Sequence, residues 1–227
     1  MKILSFNILS KSLAVSITKD NEVISRQQID QESRHSELLI ATIEDALKKA
    51  LISYNDLDII AAVTSPGSFT STRIAYIVLN IMRISLPIPV IALDKSDIMA
   101  WKFFKKSNEE LFVTFSCNMS EFYLTQYQPK EDYFFKCRDT RIVQIEELTD
   151  LIAKSNCKCL SSDKHKLINY NKKISQKIKD KFFDHSYDEV EVEDIGYFAH
   201  YLVSNNLVNN KKNLQYFRQP NIGKKSK

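Results

Sequence analysis

The chain has 227 residues, 44% hydrophobic and 26% charged, which supplies a sizeable core in one large or two small domains. It carries a net charge of +4 and only three glycines. Glycine lets a backbone approach a phosphate closely or take positive φ, so several glycine-rich phosphate cradles are excluded. The opening Met1-Lys2-Ile3-Leu4-Ser5-Phe6 does not resemble a signal peptide. The longest uncharged apolar run, residues 74–82 between Arg73 and Arg83, is too short to span a bilayer. The expectation is a soluble, cytoplasmic protein with no membrane contact.

Residues 2–8, 12–18 and 22–29 read as three short antiparallel strands, the second and third alternating with period two. Lys19-Asp20-Asn21 between the last two has a tight-turn composition. Residues 36–51 are helical: Leu39, Ile43, Ala46, Leu47, Ala50 and Leu51 share one face, with Glu37, Glu44, Asp45, Lys48 and Lys49 mainly elsewhere. Residues 57–63 form a near-continuous apolar run, the mark of a strand covered on both faces. The loop Ser65-Pro66-Gly67-Ser68-Phe69-Thr70 follows. Residues 70–85 read as a helix apolar nearly all round, which would bury more than one side. Pro87 and Pro89 stop it, 90–93 is another central strand, and 94–106 a short helix.

The order β-β-β-α-β-α-β-α fits one lobe of the actin-like ATPase superfamily. A weaker copy follows. Strands are expected at 112–117, 122–127 and 133–138, a helix at 145–154 and a short strand at 157–160. Residues 161–190 are polar and lysine-rich and receive no element. Residues 194–207 read as a last helix with Ile195, Phe198, Ala199 and Leu202 on one side. The expected division is a first lobe at 1–100 joined by that helix, a degenerate second lobe at 101–193, and a basic tail at 208–227. The tail holds Lys211, Lys212, Arg218, Lys224, Lys225 and Lys227 and no acid, a charge of +6 that leaves −2 for the body. Such a tail suits either nucleic-acid contact or a solvated end.

Cys117, Cys137, Cys157 and Cys159 contain no C-x-x-C pair and read as reduced thiols rather than metal ligands. His35 has no sequence neighbour to complete a triad, and G-x-S-x-G is absent. Ser33 or Ser36 is expected to cap the first helix, and Ser68 the helix starting near Thr70. Phe103-Phe104 and Phe182-Phe183 read as core, and the lysine run of 172–179 as a solvated face.

Pro66-Gly67-Ser68-Phe69-Thr70-x-x-Arg73 resembles the P-G-S-F-T-G-x-R signature of the TsaB (YeaZ) family. Met1-Lys2-Ile3-Leu4 resembles its first strand, Arg34-His35-Ser36 its R-x-H-[ST] region, and Gln215-Tyr216-Phe217-Arg218 its P-x-Y-[LF]-R. The resemblance implies an α/β fold, a duplicated actin-like (ASKHA, RNase H-like) arrangement of two lobes, each with a mixed sheet flanked by helices. It implies a non-catalytic subunit, without cofactor or metal. Such a subunit binds and stabilises TsaD in threonylcarbamoyladenosine (t6A) modification of the tRNA adenosine next to the anticodon. The implied partners are TsaD as heterodimer and TsaE, an ATPase, in a larger complex. A homodimer alone and an indirect or tail-mediated tRNA contact are further expectations. The partner-binding residues would be Leu39, Ile43, Leu47, Arg73, Ile77 and Ile81, positioned by Arg34 and His35 and by Pro66, Gly67, Ser68, Phe69 and Thr70. Arg73, the lone charge on its stretch, is expected to point to a carboxylate.

The departures have consequences. The family's first-strand Asp-Thr is Asn7-Ile8 here, and its glycines fall at Ser65, Ser71 and Ala75. Asn7 marks a degenerate nucleotide position: a hydrogen-bonding group stays and the charge that helps place metal-bound nucleotide goes. The catalytic paralogue TsaD carries H-x-x-x-H where this chain reads Asp94-Lys95-Ser96-Asp97-Ile98-Met99. Asp94 and Asp97 read instead as charges favoured at a helix N-terminus. Two rival readings are a degenerate kinase or ATPase of the same fold and a homodimeric scaffold.

Overall fold

The computed structural model describes residues 1–9, 12–30, 34–130, 133–170, 172–183 and 189–208. They divide into two compact units, Met1–Leu93 with the segment from Val192 onward, and Asp94–Glu191. The division falls ahead of the boundary at 100 expected from sequence. The helix after Leu93 packs on the strands of the second unit and belongs with them.

The first unit is built on a five-stranded sheet of order β3-β2-β1-β4-β5. Its strands are β1 (Lys2–Asn7), β2 (Leu13–Lys19), β3 (Glu22–Ile29), β4 (Ile59–Ser65) and β5 (Val90–Asp94). β1 runs antiparallel to β2 and parallel to β4. The β2–β3 turn works because Asp20 and Asn21 take φ of 49° and 67°, the left-handed pair that matches strand twist. Alternation sends Leu4, Phe6, Leu13, Val15 and Ile17 to one face, where they pack with Leu39, Ile43, Leu47, Ala75, Leu79 and Met82. These come from α1 (His35–Lys49) and α2 (Phe69–Ser85). α7 (Val192–Ser204) lies against β1, β2 and β4. Gly196 permits that close approach, since a Cβ there would lie 2.9 Å from Thr18 Oγ1 and 3.0 Å from Ser5 Oγ.

The second unit repeats the strand–strand–strand–helix–strand order. It contains α3 (Lys95–Phe104), β6 (Leu111–Ser116), β7 (Glu121–Lys130), β8 (Tyr133–Gln144), α4 (Ile145–Lys154) and β9 (Lys158–Ser161). The sheet order is β8-β7-β6-β9, with β6 and β9 parallel. Two short helices, α5 (Lys164–Tyr170) and α6 (Lys172–Lys179), occupy the stretch without a sequence assignment. Leu167 of α5 and Ile178 of α6 are fully buried, in a core with Phe112, Phe122, Leu124, Leu148 and Ile152. The result is the expected α/β class: two mixed sheets flanked by helices. Among the described residues no helix is long and apolar enough to cross a membrane.

Candidate functional site

The loop after β4 sets the start of α2. The Ser65–Pro66 peptide is cis. Ser68 caps the helix: its hydroxyl accepts the Ser71 amide proton at 3.1 Å, satisfying one of the orphan donors of the first turn. Gly67 does not supply a left-handed conformation, since no glycine among the described residues has positive φ. Its demand is for space. A Cβ on Gly67 would stand 2.5 Å from Leu9 Cδ2 and 2.7 Å from Leu9 Cγ. Leu9 is itself placed by Asn7, whose side-chain oxygen accepts the Leu9 amide proton at 2.9 Å. Asn7 is 4% exposed. Asn7 therefore tethers a backbone turn, and an apolar side chain fills the space that the loop glycine leaves open.

Phe69 is half-buried, and Thr70 is exposed. Arg73, expected to point to a carboxylate, lies with its guanidinium 4.0 Å from the centroid of the Phe69 ring. An Arg–aromatic stack of this kind contributes about 0.5–1 kcal/mol at an exposed site. Along α2, the buried side chains are Thr72, Ala75, Leu79 and Met82. Ile77, Ile81 and Ile84 are 56%, 57% and 86% exposed. With Arg73 they follow the i, i+4, i+8, i+11 spacing of one helix stripe. So α2 buries one side rather than several, and its outward side is apolar.

α1 corrects the other half of the expected docking face. Leu39, Ile43 and Leu47 are buried in the core of the first unit, because their face of the helix packs on the sheet. They are not surface residues in this chain. Ile40, at 44% exposed, is the apolar side chain that α1 turns outward. Ser36 is exposed and does not cap; the N-cap is Arg34, without a side-chain cap bond. Ser33 lies outside the described residues. Arg34 donates from Nε to Glu37 at 3.0 Å, an exposed pair. His35 is buried at 6% exposure, and its Nε2 has no hydrogen-bond partner.

Sequence reasoning gave no special place to a polar cluster in the second unit. Lys136 Nζ lies 3.2 Å from both Asp94 and Asp97, and the Tyr127 hydroxyl donates to Asp97 at 2.7 Å. Burial, with the Asp97 charge beside it, holds the Tyr127 phenol well above its usual value, so it stays a donor. Asp94 and Asp97 thus stand at the start of α3 and pair with a lysine from β8. Among the described residues no group of three or more His, Cys, Asp or Glu is placed to hold a metal ion. Burial and a hydrogen bond to Glu110 push the Cys157 thiol up to about 11, the opposite of a reactive thiolate. The tail, including Gln215-Tyr216-Phe217-Arg218, lies outside the described residues.

Residues 22–195 match the family model described as TsaD, tRNA N6-adenosine threonylcarbamoyltransferase. A tRNA threonylcarbamoyladenosine biosynthesis protein TsaB from Buchnera aphidicola subsp. Acyrthosiphon pisum is 29% identical over 126 residues, 55% of this chain and 57% of that protein. TsaB of Escherichia coli K12 is 22% identical over 149 residues, 65% of this chain and 64% of that protein. The matched stretch thus spans about 57–64% of the length of these relatives. A Pseudomonas aeruginosa structure described as YeaZ superposes with a TM-score of 0.67 at 16% identity, covering 91% of this chain and 95% of that one. A second from that organism, similar to peptidase YEAZ, gives 0.69 at 17% identity, covering 96% and 99%. The loop motif, the family model over most of the chain, the curated relatives and the shared fold together mean that the chain belongs to the TsaB (YeaZ) family, within the reach of the TsaD family model.

Proposed function

We propose that this protein is a non-catalytic subunit of tRNA t6A biosynthesis that docks onto TsaD, and within a larger assembly with TsaE, through the outward face of α2. The observation that carries the reading is the exposed row Ile77, Ile81 and Ile84, continued at its N-terminal end by the Arg73–Phe69 stack. A soluble helix normally turns charge to water, and contiguous exposed apolar side chains mark interaction sites. The cap at Ser68 and the Leu9–Gly67 contact fix the start of that row. The names of the curated relatives supply the pathway.

The degenerate-kinase reading has little to stand on. Asn7 lacks the acidic charge, and Leu9 fills the space beside Gly67. The homodimer reading uses the same stripe and is an outcome of the same test. Ile77→Glu and Ile81→Glu should each abolish co-elution with TsaD in size-exclusion chromatography while leaving the melting temperature of the isolated chain close to that of the parent. A charge forced into an apolar contact without a partner costs several kcal/mol. Retention of the TsaD complex by both variants, and by the double variant, overturns the docking face. Loss of a self-dimer with the TsaD complex intact assigns the stripe to the homodimer instead. Turnover of Mg-ATP that disappears in Asn7→Ala would restore the kinase reading.

A further inference from the structure

Charge on this chain is segregated. Between residues 154 and 181 the sequence holds nine lysines and two acids, Asp163 and Asp180, a net +7. The tail from residue 211 adds six bases and no acid. The rest of the chain holds seventeen bases and twenty-six acids, a net −9. A lysine-rich composition alone would raise the charge everywhere; here one internal segment is strongly basic while the remainder is acidic.

The fold gathers that segment into the helical layer of the second unit. α4, α5 and α6 pack on one another, with Leu148, Ile152, Leu167 and Ile178 turned into the core. That orientation leaves Lys154, Lys166, Lys177 and Lys179 exposed. The acids that α4 contributes are already engaged. Glu146 accepts from the Tyr170 hydroxyl, Glu147 pairs with Arg141 at 2.9 Å, and Asp150 pairs with Lys154 at 3.2 Å. Asp163 pairs with Lys166 at 3.1 Å. Lys177 and Lys179 flank the buried Ile178 and have no acidic partner among the described residues.

We propose that the α5–α6 layer is a binding surface for the phosphate backbone of RNA. The proposal rests on the tRNA-modification reading above for the identity of the RNA. Ammonium groups on flexible stems suit phosphates as point charges and read no sequence. Two other polyanions fit less well. A protein interface has an apolar centre, and in this layer Tyr170 is the one exposed large hydrophobic side chain among the described residues. Attachment to a lipid surface by a helix likewise uses a broad apolar face.

The test titrates full-length protein into a fluorescently labelled tRNA transcript and reads anisotropy between about 50 and 200 mM salt. Binding should weaken steeply with salt. K177E/K179E should weaken it roughly tenfold or more and lower the salt slope by about 2, one per phosphate contact removed. K177Q/K179Q should show a smaller loss in the same direction, and both should keep the parent melting temperature. K224E/K225E in the tail should reduce affinity less than the helix variant does. Unchanged RNA affinity in K177E/K179E overturns the proposal. So does a tail variant that removes all RNA binding, or binding to phosphatidylserine vesicles without binding to tRNA. The docking reading fails separately: both helix variants should retain TsaD, and Ile77→Glu should lose TsaD while retaining tRNA. Loss of TsaD by K177E/K179E would make the layer a protein interface and end the RNA assignment.

Discussion

α1 and α2 lie on the same sheet and contribute to the same core, yet their outward faces differ. α1 turns Glu37, Glu44, Asp45, Lys48 and Lys49 to solvent, and Ile40 among them. α2 turns out Ile77, Ile81 and Ile84. Their inward faces differ in the opposite sense. α1 buries Leu39, Ile43 and Leu47, whereas α2 begins its inward face with Thr72 and Ala75 before Leu79 and Met82. The helix that looks more hydrophobic in sequence therefore fully buries only Thr72 and Ala75 in its first turns, and leaves Ile77, Ile81 and Ile84 on the outside. An apolar residue contributes about 1.5–3 kcal/mol to folding only where it is buried, so an isoleucine is worth much on one helix and little on the other in the isolated chain.

Truncation separates the two faces most sharply. Leu39→Ala should destabilise the isolated chain by about 2–5 kcal/mol, the range for a buried leucine that leaves a cavity. Ile81→Ala should change the same quantity by no more than about 0.5 kcal/mol, as surface changes do. Urea unfolding followed by circular dichroism measures both. In TsaD binding the order should invert, with Ile81→Ala costing affinity and Leu39→Ala acting only through the fraction folded. Equal losses of stability from the two would erase the distinction between the helices.

The next effect concerns the loop that aims α2. Gly67→Val should destabilise by about 1–3 kcal/mol, because the added carbons meet Leu9. Leu9→Ala in the same chain should restore much of the loss, giving a coupling of about 0.5–3 kcal/mol between the sites. A Gly67→Val chain with parent stability and parent TsaD affinity removes the positioning role of this contact. Gly67→Val left equally destabilised beside Leu9→Ala would move the demand from space to backbone conformation.

That contact also marks what sequence could and could not carry. The strands at 2–8, 12–18 and 22–29, the helix at 36–51 and the loop motif were legible, because alternation, 3.6-residue periodicity and turn chemistry are local. The reason for Gly67 was not local: it depends on Leu9, on a segment brought alongside by the parallel pairing of β1 and β4. On α2 the sequence reading named Arg73, Ile77 and Ile81, which the structure places on one exposed stripe, but it did not foresee that the helix buries a single side. A helix apolar on all sides has no polar stripe to announce which side is wet, and only the sheet decides it. On α1 the partner residues were misread because the strongest periodic apolar face, Leu39–Ile43–Leu47, is the face a core takes first. α5 and α6 escaped because their buried side chains, Leu167 and Ile178, sit within a lysine-rich stretch. The family itself was legible from one loop and the order of elements.

Capping gives a smaller contrast. Ser68→Ala should cost about 1 kcal/mol by releasing the Ser71 amide, and should weaken TsaD binding only in proportion to fraying of the first turn. Ser68→Asp should hold stability near the parent, since a carboxylate accepts the same proton and sits at the positive end of the helix. A Ser68→Asp chain as unstable as Ser68→Ala would show that the hydroxyl also acts through its 2.8 Å bond to Ser71 Oγ, which an aspartate cannot reproduce in the same way.

The smallest stability effect should be at the start of α1, and its smallness makes it informative. Arg34 occupies the N-cap but makes no side-chain cap bond, so Arg34→Ala takes no cap away. What it removes is the 3.0 Å pair with Glu37, with the two side chains 57% and 64% exposed. Exposed pairs of this kind contribute about 0–1 kcal/mol, and salt screens them. Removing a cation from a helix N-terminus is mildly favourable in itself, because the macrodipole is positive there. These two terms oppose each other, so the urea midpoint of Arg34→Ala should match the parent to within about 0.5 kcal/mol. Ser68→Ala on α2 should therefore cost more than Arg34→Ala on α1, although the resemblance places each position in a motif at the head of a helix. A loss of TsaD affinity in Arg34→Ala at parent stability would extend the docking face from the α2 stripe to the head of α1. Unchanged affinity would confine it to α2.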